Sequence, residues 1–288
     1  MKDFKGKTAV VTGGASGVGR AMCELFAFQG MNVVMADIEL HALDTSASAL
    51  REKGFNILGV KADVTSSESM QRLAEKSVAK FGNIHILCNN AGIGLKEAGK
   101  NFWEHAPNDW RWAFEVNSLG ITNGIRAFVP GMLEHGEEGH VVNTSSGNGG
   151  LSSFPNSPIY AASKAAVTSM SEVLHYQFTS LGCALRAHVL FPGPNLVNTN
   201  LLAASRNRPE ALKDGTESAD EYKTFQELSD AIGYDLQITE PEEVAEFCLQ
   251  CIKKNQFWML ADSDTQDDRI RKRAESMLSR SNPTPPII

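Results

Sequence analysis

The opening thirty residues constrain the fold more tightly than any other stretch of the chain. A short β-branched run, Lys7-Thr8-Ala9-Val10-Val11-Thr12, leads straight into Gly13-Gly14-Ala15-Ser16-Gly17-Val18-Gly19. An apolar-periodic stretch follows, with Ala21, Met22, Leu25 and Phe26, and it ends at Gly30. A strand, a glycine turn and a helix in that order form a phosphate-binding context. The glycines permit a tight turn and let backbone amides approach a pyrophosphate at the positive end of the helix. The spacing, Gly-x-x-x-Gly-x-Gly, differs from the commoner Gly-x-Gly-x-x-Gly. Strand-like segments recur near residues 32–37, 56–61, 84–88, 139–145, 185–191 and 256–260, each separated from the next by a helical pattern. Such alternation predicts an α/β fold: a Rossmann-like, doubly wound parallel sheet of about seven strands with helices on both faces. There is no internal repeat and no linker, so the 288 residues are expected to form one domain over 1–288.

The second strand, Asn32-Val33-Val34-Met35-Ala36-Asp37, ends in an acid eighteen residues past Gly19. A carboxylate there can accept hydrogen bonds from adenosine ribose hydroxyls. It also repels a 2′-phosphate, and Ser16 in the glycine loop supplies no basic partner for one. Both features point to NAD rather than NADP. An N-capping role for Asp37 is compatible with the ribose role.

Further on, Tyr160-Ala161-Ala162-Ser163-Lys164 stands fourteen residues after Ser146, at the entrance to a helical stretch. Residues four apart share a helix face, so the Lys164 ammonium can sit beside the Tyr160 phenol. A free phenol titrates near ~10 and is a poor base at neutral pH. A neighbouring cation favours the phenolate, and the pairing therefore predicts a phenol lowered into the range of general acid–base catalysis.

Taken together these segments resemble the short-chain dehydrogenase/reductase family over nearly the whole chain. Thr12 with Gly13, Gly17 and Gly19 matches the family's cofactor loop, Asp63-Val64 its adenine-contacting pair, and Asn89-Asn90-Ala91-Gly92 the segment after its fourth strand. Asn117, Ser145-Ser146 and Tyr160 with Lys164 match its active-site positions. The resemblance implies sheet order 3-2-1-4-5-6-7 and a hydride transfer between NAD and a substrate carbinol carbon. Tyr160 would move the hydroxyl proton, and Lys164 would tune Tyr160 and hold the nicotinamide ribose. Ser146, preferred over Ser145, would bond the reacting oxygen, and Asn117 would place a water that links Lys164 to solvent. The implied cofactor set is Gly13, Ser16, Gly17, Val18, Gly19, Asp37, Asp63, Val64, Asn89, Ala91, Gly92, Tyr160, Lys164, Pro192 and Gly193. One departure stands out. The family often carries Pro-Gly-x-Val-x-Thr after its sixth strand, whereas here Pro192-Gly193 is followed by Pro194-Asn195-Leu196-Val197-Asn198-Thr199, two residues longer if Thr199 is the counterpart.

Residues 195–240 interrupt the alternation and read as a substrate lid, with an apolar leading edge and the polar stretches Arg206–Pro209 and Glu217–Asp220. The expected pocket wall is Ser146, Asn148, Leu151, Phe154, Tyr160, Pro194, Leu196, Leu201 and Leu202. It is mainly apolar, has no arginine clamp, and suits a hydrophobic secondary alcohol or ketone. The tail over 281–288 is expected to be extended. Two other classes fit the motifs less well: an NAD-binding regulatory or scaffold protein, and an epimerase or dehydratase that uses bound NAD internally.

The net charge of −7 and the lack of a basic run argue against nucleic acid as a partner. Five cysteines, an odd number, do not form a disulfide framework, and Cys248-Leu249-Gln250-Cys251 lies in a helical pattern without a second ligand pair, so no metal is expected. No apolar run is long enough to span a membrane and no signal-like segment opens the chain, which predicts a soluble, cytoplasmic protein. Long helical stretches over about 107–134 and 158–181 carry apolar residues on more than one face. In the family such helices pair across two-fold axes, so a homotetramer, or failing that a homodimer, is expected.

Overall fold

A computed structural model describes residues 1–213, 225–232 and 236–286. Six parallel strands carry the fold: β1 (Thr8–Thr12), β2 (Asn32–Asp37), β3 (Ile57–Lys61), β4 (Ile86–Asn89), β5 (Gly139–Thr144) and β6 (Leu185–Leu190). A two-residue pair, β7 (Leu196–Val197) with β8 (Ile238–Thr239), stands apart from them, and β9 (Trp258–Met259) closes the main sheet. The sheet order is β3-β2-β1-β4-β5-β6-β9, so the predicted doubly wound topology and strand order are observed. All six neighbouring pairs are parallel.

Helices lie on both faces: α1 (Gly17–Phe28), α2 (Leu40–Glu52), α3 (Ser67–Phe81), α4 (Pro107–Phe114), α5 (Gly120–His135), α6 (Pro158–Leu181), α7 (Phe225–Ile232), α8 (Pro241–Lys254) and α9 (Asp264–Ser279). The strands are apolar on both sides, as a sheet covered twice requires. Within β1, Ala9 and Val11 turn to the core shared with α1 and α8, whereas Val10 turns to the core shared with α3, α5 and α6. A third, smaller cluster joins Ile93, Trp112, Ala204 and Leu212 under the segment that follows β7.

The stretch expected as one long helix over 107–134 is interrupted. Between α4 and α5 the chain forms a π turn, Glu115–Leu119, with Asn117 at its centre. Such bulges are rare and re-aim a side chain out of register. Pro130 lies inside α5. The segment after β6 also differs from a simple lid. It forms β7 and two 3-10 turns, Asn200–Asn207 and Glu210–Leu212, and its buried apolar residues are Ala203, Ala204 and Leu212. Leu196, expected to line a pocket, is 41% exposed in the β7–β8 pair, and Leu201 and Leu202 are half-buried. The charged stretch Glu217–Asp220 lies outside the described residues, as do Ile287 and Ile288 of the tail, whose residues 281–286 have no regular structure. Among the described residues, no helix is long and apolar enough to cross a membrane.

Candidate active site

Strand order reverses between β1 and β4, and the loops leaving those two strands part there to open a crevice. Thr12 ties the two together. Its Oγ1 accepts from the amides of Asn90 and Ala91 at 3.0 and 3.1 Å, while its carbonyl accepts from Asn90 Nδ2 at 3.1 Å. This clamp explains the glycine at 13. Its φ is +65°, and a Cβ there would meet Ala91 Cα at 3.0 Å. Gly19 has no room either, because a side chain would run into the Gly13 carbonyl. The start of α1 carries no acidic residue in its first turn, and Ser16 makes no side-chain cap, so the opening amides, Val18 included, are left for an anion. A glycine cradle that side chains would fill, beside an uncapped helix start, fits a pyrophosphate.

Asp37, at the end of β2, accepts from Ala15 N through Oδ2 and from Glu39 N through Oδ1, both at 3.0 Å. It is buried at the edge of the cradle, and burial raises its carboxyl above the usual carboxylate range against those two bonds. Asp63 folds its own turn by accepting from the amide and hydroxyl of Thr65 at 2.9 and 2.8 Å, and the Val64 carbonyl accepts from Asn123 at 2.8 Å. Asn89 is placed differently from its neighbours. Its Nδ2 donates to Asn143 Oδ1 at 2.9 Å and its Oδ1 crowds Gly124 of α5, so the side chain faces the sheet–helix interface. The side chain that closes the glycine loop belongs to Asn90.

Ser146, Tyr160, Lys164 and Asn117 come together beyond β5. Ser146 lies near enough to the half-buried Tyr160 phenol to act on its proton affinity, and the Lys164 ammonium lies 5.7 Å from the Tyr160 ring centre. Lys164 Nζ donates to the carbonyl of Thr144, the last residue of β5, at 2.9 Å. Ser145 is excluded from the cluster: its Oγ donates to the Lys164 carbonyl at 2.9 Å and meets Thr168 Oγ1 at 2.8 Å, deep in the core. Gly149, with φ +92°, packs so closely on Ala161 that any side chain would collide with the α6 backbone, and this contact presses the loop after Ser146 onto the first turn of α6. Asn117 is fully buried. Its Oδ1 accepts from Ile93 N at 2.8 Å and its Nδ2 donates to Ile93 O and Ser163 Oγ, both at 3.1 Å. Asn117 Oδ1 and Lys164 Nζ both approach the side of Gly92 where a Cβ would stand, at 3.3 and 3.4 Å.

The electrostatics correct one expectation. Burial pushes Lys164 down to about 8, which withdraws part of the charge that was expected to favour the phenolate. The Tyr160 phenol is raised, first by burial and further by the charge of Glu97, with only the Ser146 hydrogen bond acting the other way. Nothing in the residue pattern singled out Glu97, a lone acid in a loop.

The residues expected to face a substrate are partly taken up by bonds within their own loops. Asn148 is occupied in shaping its loop, donating to Ser157 Oγ at 2.7 Å and accepting from Phe154 N at 3.0 Å. Helix α9 covers that loop: Arg273 donates to the Leu151 carbonyl at 2.9 Å, and the Arg269 guanidinium sits 5.1 Å from the Phe154 ring centre. Both arginines are engaged with this loop, on the Leu151 carbonyl and the Phe154 ring, and form no clamp there. Gln266 of the same helix donates to the Pro194 carbonyl at 3.0 Å and abuts Gly193, fixing the Pro192-Gly193-Pro194 loop. Thr199 does not sit with this loop; its methyl lies against Gly17 in the glycine cradle.

The sequence profile of the short chain dehydrogenase family matches residues 7–210, from the start of β1 to past Thr199. The chain belongs to that family. A crystal structure of a short chain dehydrogenase/reductase from Burkholderia phymatum, in complex with NAD, superposes with a TM-score of 0.89 at 36% identity over the full length of both chains. A CLA biosynthesis dehydrogenase/reductase of Lactiplantibacillus plantarum is 29% identical over 94% of each chain. A 1-deoxy-11-beta-hydroxypentalenate dehydrogenase of Streptomyces arenae is 40% identical over 65% of this chain and 66% of its own. The chain is thus similar to dehydrogenases that differ in what their names say they act on.

Proposed function

We propose that this short-chain dehydrogenase uses NAD to interconvert a hydrophobic secondary alcohol and its ketone. The observation that carries the reading is the convergence of Lys164 and Asn117 beside Gly92, with the Lys164 ammonium 5.7 Å from the Tyr160 ring centre. NAD, when bound, supplies the hydride acceptor, or as NADH the donor, for the carbinol carbon. The glycine cradle at Gly13, Gly17 and Gly19 would hold its pyrophosphate, and Asp37 its adenosine ribose. Tyr160 takes the hydroxyl proton in oxidation and returns it in reduction. Ser146 fixes the reacting oxygen beside the phenol. Lys164, pushed down to about 8 by burial, is suited to pass that proton onward, and the second lone pair of Asn117 Oδ1 can hold a water beside it. Leu151, Phe154 and Leu201 would receive the apolar body of the substrate. We further propose a homotetramer in the cytoplasm, because Val173, Tyr176 and Leu181 on α6 and Leu119 before α5 are half or more exposed. Light scattering at micromolar concentration reads the assembly.

The deciding experiment follows reduced nicotinamide by absorbance with a panel of secondary alcohols, in the wild type and in Tyr160→Phe. The phenyl ring keeps the packing and removes only the acid–base group, so turnover should fall by roughly 10²–10⁴-fold while NADH affinity is nearly unchanged. Activity above about a tenth of wild type would remove Tyr160 from the role.

A further inference from the structure

Glu97 lies in the loop that leaves β4, and its carboxylate is buried at 2% exposure. Oε2 accepts from Ile159 N at 2.6 Å and Oε1 from Tyr160 N at 3.0 Å. These amides belong to the first turn of α6, which has no local cap: Ser157 makes no side-chain cap bond and Pro158 has no N–H. The cap arrives instead from a residue more than sixty positions earlier. A neutral serine or asparagine at the N-cap satisfies such amides without burying a charge, so helix capping alone does not account for a carboxylate here. Burying one is costly unless something offsets it, and this one sits on the residue next to the reacting phenol. The same short loop also carries Gly92, where Asn117 and Lys164 converge, and Ile93, which holds Asn117 in place. One segment thus touches three members of the cluster.

We infer that Glu97 is a positioning residue for Tyr160, its buried carboxylate holding the first turn of α6 against the Ser146 loop. The inference rests on the reading of Tyr160 as the acid–base group. The charges around the pair can be named. Burial raises the Glu97 carboxyl against its two amide bonds, and Asp109 of α4 adds to the rise, although Asp109 is itself paired with Arg208 at 2.5 Å. Lys164 lies on the Tyr160 side, Lys96 and Lys100 flank Glu97 in its loop, and Arg269 of α9 is engaged with the Phe154 ring. Among the described residues, Glu97 is the carboxylate whose charge raises the Tyr160 phenol, and it bonds the amide of the same residue.

The test is the pH profile of kcat/KM in both directions for wild type, Glu97→Gln and Glu97→Asp. Glutamine keeps the volume and an amide acceptor and removes the charge. Without that charge the phenol loses its proton more readily, so the acid limb for alcohol oxidation and the alkaline limb for ketone reduction should both move down by roughly 0.5–1 pH unit. Aspartate keeps the charge but is too short to reach both amides; its limbs should stay within about 0.3 unit of wild type while kcat falls severalfold. NADH affinity, read by fluorescence, should be unchanged in both. A Glu97→Gln profile that superposes on wild type, with only a lower melting temperature, would reduce Glu97 to a helix cap and overturn the inference. If Glu97→Gln does not fold, an Asp profile shifted like a charge loss overturns it equally. Tyr160→Phe is run alongside: should it remain active, the acid–base reading has failed, whereas an inactive Tyr160→Phe with an unshifted Glu97→Gln condemns the role of Glu97 alone.

Discussion

Both oxygens of Asp37 already accept a backbone amide, from Ala15 and from Glu39. A carboxylate has about four lone-pair sites, so two remain for the ribose hydroxyls that this position is proposed to bind. The same charge should repel a 2′-phosphate, and we expect NAD to exceed NADP by at least about tenfold in kcat/KM, or about 1.4 kcal/mol. Asp37→Ser should narrow that ratio and also raise KM for both cofactors, because the loop loses the Ala15 anchor. Steady-state kinetics with the two cofactors check it, and equal use of both by the wild type would mean that Asp37 does not face the ribose. At this scale the sequence was informative wherever chemistry has a fixed spacing. The four-residue step from Tyr160 to Lys164 placed both groups on one side of α6, and the first serine of the pair, Ser145, is the one turned into the core. It was uninformative wherever burial decides. No spacing could show that Lys164 loses charge to desolvation, that Asn89 turns inward while Asn90 closes the loop, or that Glu97 reaches α6.

Between β7 and the Glu210–Leu212 turn, the chain runs as a strap along the crevice. Thr199 rests on Gly17, Leu201 packs on Gly94, and Arg206 with Asn207 grips Glu39, two residues beyond Asp37. Arg208 then pairs with Asp109 and stacks on Trp112. One element thus spans from the Leu201 end, proposed for the substrate, to the Glu39 end, proposed for the adenosine. The two ends should be separable by mutation. Arg206 and Glu39 form a partly exposed ion pair, and such pairs contribute about 0–1 kcal/mol. Arg206→Ala should therefore speed NADH dissociation by about two- to fivefold, read by stopped-flow displacement, with little change in KM for alcohols. Replacing Leu201 and Leu202 by alanine should do the reverse, raising KM for bulky alcohols and leaving the NADH rate alone. Identical effects from the two variants would mean the strap moves as one rigid cover. The existence of this element was legible as a break in the β–α alternation after Gly193. Its interior was not, since the buried residues are the small Ala203 and Ala204, while the leucines that drew attention are only half-buried or, for Leu196, exposed. Apolarity marks what could be buried, and the fit against Ile93 and Trp112 selects what is.

Across the whole molecule the sheet is tied together at its β5–β6–β9 side by two buried histidines. His188 Nδ1 donates to the Gln256 carbonyl at 2.8 Å, which leaves Nε2 as an acceptor for His140 Nδ1 at 2.8 Å. His140 Nε2 in turn meets the Met1 amine at 3.2 Å. The chain of donors runs one way only while both rings are neutral. Burial enforces that state, holding His140 down at about 2 and His188 at about 4. In an unfolded chain each would titrate near 6.5. Above that pH neither state takes up a proton, and the stabilisation is fully present. As pH falls below it, the unfolded chain binds protons that the fold refuses, so stability drops by up to about 1.4 kcal/mol per pH unit for each histidine. For His188 the loss continues down to about 4. Glu137, lowered to about 2, acts only below its reference value near ~4. Asp37 and Glu97 are raised, act above theirs with the opposite sign and reduce the slope, whereas His85, lowered first by burial, adds to it. Between roughly pH 6.5 and 5 the histidines should therefore set the slope of melting temperature against pH. Replacing both by leucine should reduce that slope, leaving the share of His85, even if the absolute melting temperature falls, because the slope counts protons and not packing. A wild type whose melting temperature stays level over that range, or a double variant that keeps the wild-type slope, would show that the buried pair does not govern the acid limit of the fold.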